Sequence, residues 1–453
     1  MSIRGELHRI AAVTLGSGWR ACLRRIESNA PGEIEQEGLR KLLEHALAHV
    51  PYYRSLGVAE AELGAFPLLS RETLRTRFEQ LKSDDIATRR CRRASTGGST
   101  GEPVWVVQDR GFLDWDFATE MFYLEAFHGM SYDEYLRSRR VAIWHRSRLR
   151  AGVSWLKRLG AGLLGQVIYV EPYSILSEER MTDYLHRINR HRPVVILAFA
   201  GMAFELARHA QRLGVKMHRP RLILCSAEVL YEGMRNTIEE VFGAPVYNRY
   251  GAAEVGRIAS ECKAGKLHVF SFSNHVEILD EQDRPVSPGA VGRVVVTPLH
   301  NLAMPLIRYD IGDLARVASE PCSCGSPLAA LEEIRGRVNH YFVRSDGSLV
   351  HTGNFVSMLC ERDWILRFQV VQEDLDRIRI AFRRTPGREI PEGDLDALSR
   401  TIRSIMGEGS RIFWDEVEDV PKSPIGRHLH VRSLVWEERA GVPRERDTSG
   451  GSG

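Results

Sequence analysis

Along the chain, apolar positions recur first with the period of a helix and then in short β-branched runs. Residues 36–53, QEGLRKLLEHALAHVPYY, place Leu39, Leu42, Leu43, Ala46 and Leu47 at helical spacing, with Pro51 expected to stop the helix. FPLLSRETLRTRF then predicts a second helix, with Ser70 as N-cap of a capping box and Leu74 and Phe78 on the apolar face. From Arg139 onward the runs VAIWH, QVIYVEP, PVVILAF, RLILCS and PVYNRYG read as strands, with amphipathic helices over 178–190, 202–213 and 231–242 between them. Strand, helix and strand at this spacing imply βαβ units and a largely parallel sheet. Ligands of such sheets bind beyond the carboxyl ends of the strands, so the loops that follow them are the places to look.

After about residue 274 the runs shorten and alternate (HVEILD, GRVVVTPL) around the turn-rich DEQDRPVSPGAVG, which suits an antiparallel, barrel-like region. From about residue 338 the order is strand, helix over 354–362, FQVVQ, RIRIAF, helix over 392–406, RIFWDEV and HLHVRSLVW. The expected fold is α/β: a large N-terminal domain (1–337) with mostly parallel βαβ sheets plus a small barrel-like region, a small α+β domain (338–440), and a polar, disordered tail (441–453).

Composition narrows the function without naming it. The 62 Lys and Arg nearly balance the 59 Asp and Glu, so no net field favours nucleic acid or an anionic membrane. No apolar run reaches the roughly 18 residues of a membrane span, and the N-terminus lacks the pattern of a signal peptide. A cytoplasmic, reducing location is therefore expected, and the 7 cysteines are not read as a disulfide framework.

Four stretches carry candidate chemistry. STGGSTGEP, residues 95–103, crowds backbone N–H groups and hydroxyls in a way that can surround phosphate oxygens. It is not a Walker loop, because Glu102 and Pro103 follow Gly101 where Lys and Ser or Thr are required. Ser226-Ala227-Glu228 follows one strand, Tyr250-Gly251-Ala252-Ala253-Glu254 follows another, and MPLIRYDIGDL (304–314) follows a third. Taken singly, Tyr250 reads as a half-buried strand-end aromatic, Glu254 as a solvated helix-start carboxylate, Asp313 as a turn residue before a strand and Arg337 as a surface charge. Their joint order favours a nucleotide site.

In order and spacing these stretches resemble the adenylate-forming superfamily of acyl-CoA synthetases, peptide-synthetase adenylation domains and luciferases, most of all its phenylacetate-CoA ligase and coenzyme F390 synthetase-like (CapK-like) branch. HALAHVPYYRSLG and FPLLSRETLR look like that branch's N-terminal signature, and the resemblance covers nearly the whole chain. It implies that Thr96, Ser99, Thr100 and Gly101 hold the β- and γ-phosphates of ATP, and that Glu254 binds Mg²⁺. It implies further that Tyr250, with Gly251 behind it, stacks on adenine, that Ser226, Ala227 and Glu228 lie along the base, that Asp313 takes both ribose hydroxyls, and that Arg337 contacts ribose or phosphate. Asn339 stands where the family often has the hinge aspartate on which a mobile C-terminal lid turns. The family's C-terminal Ser-Gly-Lys is replaced by PKSPIGR, so Arg427 matches the position of the adenylation lysine and Lys422 is its alternate.

The implied reaction is ATP-dependent activation of a carboxylic acid, aryl or arylacetic in this branch, with transfer of the acyl group to coenzyme A, a carrier protein or an amine. The acid is expected near Phe199, Ala200 and Gly201 and near Trp144 and His145, aromatics that would serve equally as core. The alternative is a nonenzymatic nucleotide-binding or assembly protein descended from such ligases. Cys262 and His268, with Cys322 and Cys324 in Cys-x-Cys-Gly, make a complete tetrahedral donor set for structural zinc, as similar positions do in this branch, or else are unrelated buried cysteines and a surface histidine.

Overall fold

The computed structural model describes residues 18–58, 60–95, 104–145, 166–171, 178–337, 341–347, 349–420 and 430–435. Helices α1 (Gly18–Ser28), α2 (Pro31–His49) and α3 (Pro51–Ser55) lead the described chain. Pro51 does end α2, but it also opens α3, because a proline is pre-set for the first helical position and drives Val50 before it into an extended conformation. Helix α4 (Arg71–Thr76) starts as expected, with the Ser70 hydroxyl accepting the Thr73 N–H at 3.0 Å. Thr73 occupies the site where a full box needs Glu or Gln, and the helix closes before Phe78.

The hairpin of β1 (Cys91–Ser95) and β2 (Trp105–Asp109) is followed by α5 (Arg110–His128), capped by the Asp109 carboxylate at Phe112 N (2.9 Å) and closed by Gly129 in the left-handed conformation (φ 65°). Then come α6 (Tyr132–Arg137), β3 (Arg140–His145), β4 (Gln166–Glu171), α7 (Glu178–His191), β5 (Val195–Phe199), α8 (Ala200–Leu213), β6 (Leu222–Ser226), α9 (Glu232–Phe242) and β7 (Val246–Ala252). Strands β4, β3, β5, β6 and β7 are parallel neighbours, and the central pair, VILAF and LILCS, is buried along almost its whole length.

The chain next forms β8 (Gly256–Glu261), β9 (Leu267–Val269), β10 (Asn274–Leu279), β11 (Val291–Pro298), β12 (Tyr309–Val317) and β13 (Ala330–Arg337). The barrel-like region expected apart from the parallel sheet is instead continuous with it. Strand β8 pairs antiparallel with β7, and one 11-stranded mixed sheet runs β10-β11-β12-β13-β9-β8-β7-β6-β5-β3-β4. Helices α2 and α3 pack with β2, β11 and β12 in one buried apolar cluster, while α1 and α5 pack with β5, β6 and Phe270 and Phe272 in a second.

The remaining elements are β14 (Tyr341–Val343), β15 (Leu349–His351), α10 (Gly353–Cys360), β16 (Ile365–Asp374), β17 (Arg377–Arg384), α11 (Asp394–Met406), β18 (Arg411–Glu416) and β19 (Val431–Ser433). They form a hairpin and a four-stranded sheet ordered β18-β17-β16-β19, with Leu398, Ile402 and Met406 of α11 buried. Two compact units result: one reaches Ile334, and the other begins at Arg335 and takes in Tyr231–Thr237 as well.

Candidate active site

Parallel register sets the floor of the site. Phe199 pairs with Ser226 and Ser226 with Arg249, so β5 and β6 end level with each other while β7 runs on past them to Ala252. Beyond them Ala227 takes a left-handed backbone (φ 68°), a conformation that costs an alanine about 1 kcal/mol and that clusters at functional turns. The Glu228 carboxylate turns back across the strand ends and accepts the Gly201 N–H at 2.8 Å, at the start of α8. Two expected groups, Phe199-Ala200-Gly201 and Ser226-Ala227-Glu228, are thereby joined.

The Tyr-Gly-x-x-Glu stretch forms the end of β7 and the turn into β8. Glu254 lies in this turn between strands rather than at a helix start, and it is 4% exposed rather than solvated. Gly251 is required there, because a Cβ would stand 2.5 Å from the Gly256 carbonyl oxygen. Gln108 of β2 donates to the Ala253 carbonyl at 2.8 Å, and the Asp116 carboxylate of α5 accepts the Arg257 N–H at 2.9 Å. The turn is held from both sides.

Asp313 lies inside β12, and not in a turn before a strand. It accepts the Tyr250 hydroxyl at 2.9 Å, while the Tyr309 hydroxyl donates to Glu254 at 3.2 Å. Each motif therefore lends its phenol to the other motif's carboxylate, although β7 and β12 are separated in the sheet by β8, β9 and β13.

Tyr53, from the N-terminal signature, donates to the Pro305 carbonyl (3.1 Å) and accepts the Ile307 N–H (3.0 Å). Asn301, just before the same motif, donates to the Val107 carbonyl of β2 at 2.9 Å. The aromatic-rich signature was visible in sequence, but the role of Tyr53 as a clasp was not.

Behind β7 lies a charged cluster that sequence reasoning missed. Arg249 donates to Glu120 (3.1 Å) and to the Tyr123 hydroxyl (2.9 Å), Arg257 pairs with both Asp116 and Glu120, and the Tyr135 hydroxyl donates to Glu120 at 3.2 Å. Burial alone would raise the Glu120 carboxyl, but Arg257, Arg249 and Arg140 hold it below the usual carboxylate range.

Thr96, Ser99, Thr100 and Gly101, the expected hinge residue Asn339, Lys422 and Arg427, and the tail from residue 441 lie outside the described residues. Ser95 and Trp105, on either side of the first of these stretches, are partners in the hairpin. Of Trp144, His145 and Arg337 only the backbone is described, at the ends of β3 and β13. Magnesium is usually held by one or two carboxylates together with substrate phosphates, and Glu254, one residue from the carbonyl that β2 holds, fits that donor pattern.

The four zinc candidates converge. Cys262, His268, Cys322 and Cys324 place their ligand atoms within 4.8 Å of one another, with Cys262 Sγ to Cys322 Sγ at 3.6 Å and Cys324 Sγ to His268 Nε2 at 3.1 Å. Zn–S bonds of about 2.3 Å at tetrahedral angles put sulfurs about 3.8 Å apart, so the donor set fits zinc. His268 Nδ1 faces the Leu328 carbonyl at 3.1 Å, the outer partner that fixes a ligating imidazole. His268 is fully buried, and not on the surface.

No protein-family model matches the chain. It is similar to protein CapK of Staphylococcus aureus, at 22% identity over 82% of this chain and 80% of CapK. It is also similar to a phenylacetate-coenzyme A ligase of Pseudomonas putida, at 24% identity over 91% of this chain and 97% of that one. The solved structure of 2-hydroxyisobutyryl-CoA ligase with R3-HIB-AMP matches its fold with a TM-score of 0.68 at 17% identity, covering 90% of each chain. Over most of its length the chain is thus a distant homologue of phenylacetate-CoA ligases and CapK, with the fold of an acyl-CoA ligase.

Proposed function

We propose that the chain activates an aryl or arylacetic acid with ATP and passes the acyl group to coenzyme A, a carrier protein or an amine. The observation that carries this reading is the crosswise pairing of Tyr250 with Asp313 and of Tyr309 with Glu254, together with the bond from Gln108 of β2 to the Ala253 carbonyl, which ties the Glu254 turn to the hairpin that flanks residues 96–103.

In the first half-reaction a carboxylate oxygen of the acid bonds to the α-phosphorus of ATP and the bond to the β-phosphate breaks, releasing pyrophosphate. In the second, the thiol or amine bonds to the acyl carbon, AMP leaves, and the acceptor gives up its proton. Thr96, Ser99, Thr100 and Gly101 donate to the phosphates, Asp313 accepts from the ribose hydroxyls, and Tyr250 lies against the base with Ser226, Ala227 and Glu228. Magnesium at Glu254 would offset the charge of the triphosphate as the carboxylate approaches. Arg427, or Lys422, supplies the cation that draws carboxylate and α-phosphate together. Phe199, Ala200 and Gly201, with Trp144 and His145, bound the acid. Residues 338–440 act as the lid that turns at Asn339 between half-reactions. The Cys262–His268–Cys322–Cys324 cluster holds a structural zinc, since four protein donors leave no open position.

ATP–pyrophosphate exchange with a panel of aryl and arylacetic acids tests this reading. Exchange with one or more acids is expected, and repeating the assay with coenzyme A and then amines identifies the acceptor. ATP binding with no exchange for any acid would favour the nonenzymatic alternative, which the arginine at 427 motivates.

A further inference from the structure

We propose that Tyr309 is a positioning residue for Glu254, fixing the carboxylate in the orientation that receives the metal bound to the ATP phosphates. This rests on the reading of Glu254 given above.

A glutamate side chain on a turn has three rotatable bonds, and a carboxylate that is 4% exposed needs donors to offset its desolvation. The Tyr309 hydroxyl supplies one at Oε1 (3.2 Å). A neutral donor is suited to this task. It uses one of about four lone-pair sites and brings no charge that would repel a cation, whereas a lysine or arginine in its place would neutralise the carboxylate.

Both ends of the bond are rigid. Tyr309 is 1% exposed, pairs with Val296 of β11, and lies between two backbone hydrogen bonds to Leu69, from Leu69 N to Arg308 O (2.9 Å) and from Asp310 N to Leu69 O (3.1 Å). Arg308 before it takes a left-handed backbone (φ 51°), secured by a bidentate pair with Glu277 (3.1 Å each) and by Thr297 Oγ1 at its N–H (2.8 Å). At the other end the Glu254 turn is held by Gln108 and Asp116. A phenol that cannot move, aimed at a carboxylate on a clamped turn, is a geometry for orientation and not merely for satisfying a buried charge. Tyr250 makes the same kind of bond to Asp313, the group assigned to the ribose, and leaves the other lone pairs of that carboxylate for the ribose hydroxyls.

The test uses calorimetric titration of ATP into the full chain with and without magnesium, with no acid present. Tyr309→Phe should leave magnesium-free ATP binding unchanged and weaken binding in magnesium about tenfold, equivalent to about 1.4 kcal/mol. The magnesium concentration for half-maximal pyrophosphate exchange should rise by a similar factor, with the KM for the acid unchanged. Glu254→Asp, which draws the carboxylate out of the phenol's reach but keeps its charge, should act in the same direction, and the two substitutions together should cost less than their sum. A Tyr309→Phe protein that melts earlier but keeps the full magnesium-dependent gain in ATP affinity would overturn the proposal, as would full additivity with Glu254→Asp. If Glu254→Gln also keeps that gain, the assignment of Glu254 falls with it; if Glu254→Gln loses it and Tyr309→Phe does not, only the role of Tyr309 falls.

Discussion

The Glu228 carboxylate, after β6, accepts the backbone N–H of Gly201, after β5, at 2.8 Å. Helix α8 begins at Phe199 without a side-chain cap of its own, so a residue from the neighbouring strand supplies the missing acceptor and places its negative charge at the positive end of the helix. Glu228→Ala should therefore destabilise the protein by about 1 kcal/mol, seen as a lower urea midpoint with an unchanged slope. Glu228→Gln, which keeps a carbonyl acceptor, should retain more than half of that stability. An unchanged midpoint in Glu228→Ala would refute the cap.

A larger cost is expected at Glu120. Arg249 and Arg257 both pair with it inside the protein, and removing one member of a buried ionic group leaves uncompensated charge, costing about 3–5 kcal/mol. Glu120→Gln should lose stability on that scale, and because Arg249 adjoins Tyr250 the loss should be accompanied by weaker ATP binding. A change of under 1 kcal/mol would show that Asp116 at Arg257 and the Tyr123 hydroxyl at Arg249 suffice without the Glu120 charge.

The contrast between these two sites shows what the chain discloses by reading. VILAF and LILCS are continuous apolar runs because parallel strands are covered on both faces, so the βαβ half was legible almost residue by residue. Strands β9 and β13, LHV and ALEEIRGR, are short or polar, and nothing in their pattern reveals that they continue the same sheet. The motifs carrying Tyr250, Glu254 and Asp313 were legible as chemistry, and their crosswise bonds were not, since phenol and carboxylate come from strands that three others separate in the sheet. Glu120 and Arg249 are 129 residues apart, and a buried pair at that distance leaves no periodic trace. The cluster of three cysteines and a histidine was legible because Cys-x-Cys-Gly is itself a local shape.

Stability should fall with acid between pH 6.5 and 4. Burial pushes His128 down to about 4, and both of its ring nitrogens lack hydrogen-bond partners among the described residues. Burial likewise pushes His300 down to about 4, partly opposed by its bond to the Phe272 carbonyl. Below pH 6.5 the unfolded chain takes up protons that the folded one refuses, so stability is complete above 6.5 and drains away as pH falls toward 4. His128→Phe keeps an aromatic ring beside Tyr247, whose centroid lies 4.2 Å away, and removes the titration. Urea midpoints at pH 7.5 and 5.0 should differ less in His128→Phe than in the parent chain, and equal differences would exclude His128 as a source.

Purified protein should contain one zinc ion per chain, measured by elemental analysis. Cobalt substituted at Cys262, His268, Cys322 and Cys324 should give the intense visible bands of tetrahedral thiolate coordination. Chelation should lower the melting temperature, and Cys322→Ser should do the same without added chelator. Metal-free protein with an unchanged melting temperature would reduce the cluster to buried thiols.

The sharpest chemical question falls on Arg427. By the family resemblance the arginine of PKSPIGR stands at the position of the adenylation lysine, and the two cations differ in shape more than in charge. An ammonium is a compact point donor that can bridge two oxygens converging on it, whereas a guanidinium is a planar fork whose donors point in fixed directions, so two anions must each meet one of its edges. If Arg427 serves the α-phosphate, Arg427→Ala should slow acyl-adenylate formation by about a hundredfold, equivalent to about 2.7 kcal/mol of transition-state stabilisation, with ATP affinity nearly unchanged. Arg427→Lys should then retain or exceed the parent rate, because it restores the point donor. Lys422→Ala should have less effect than Arg427→Ala in single-turnover measurements of acyl-AMP. The reverse ranking would move the cation to Lys422 and leave Arg427 outside the reaction.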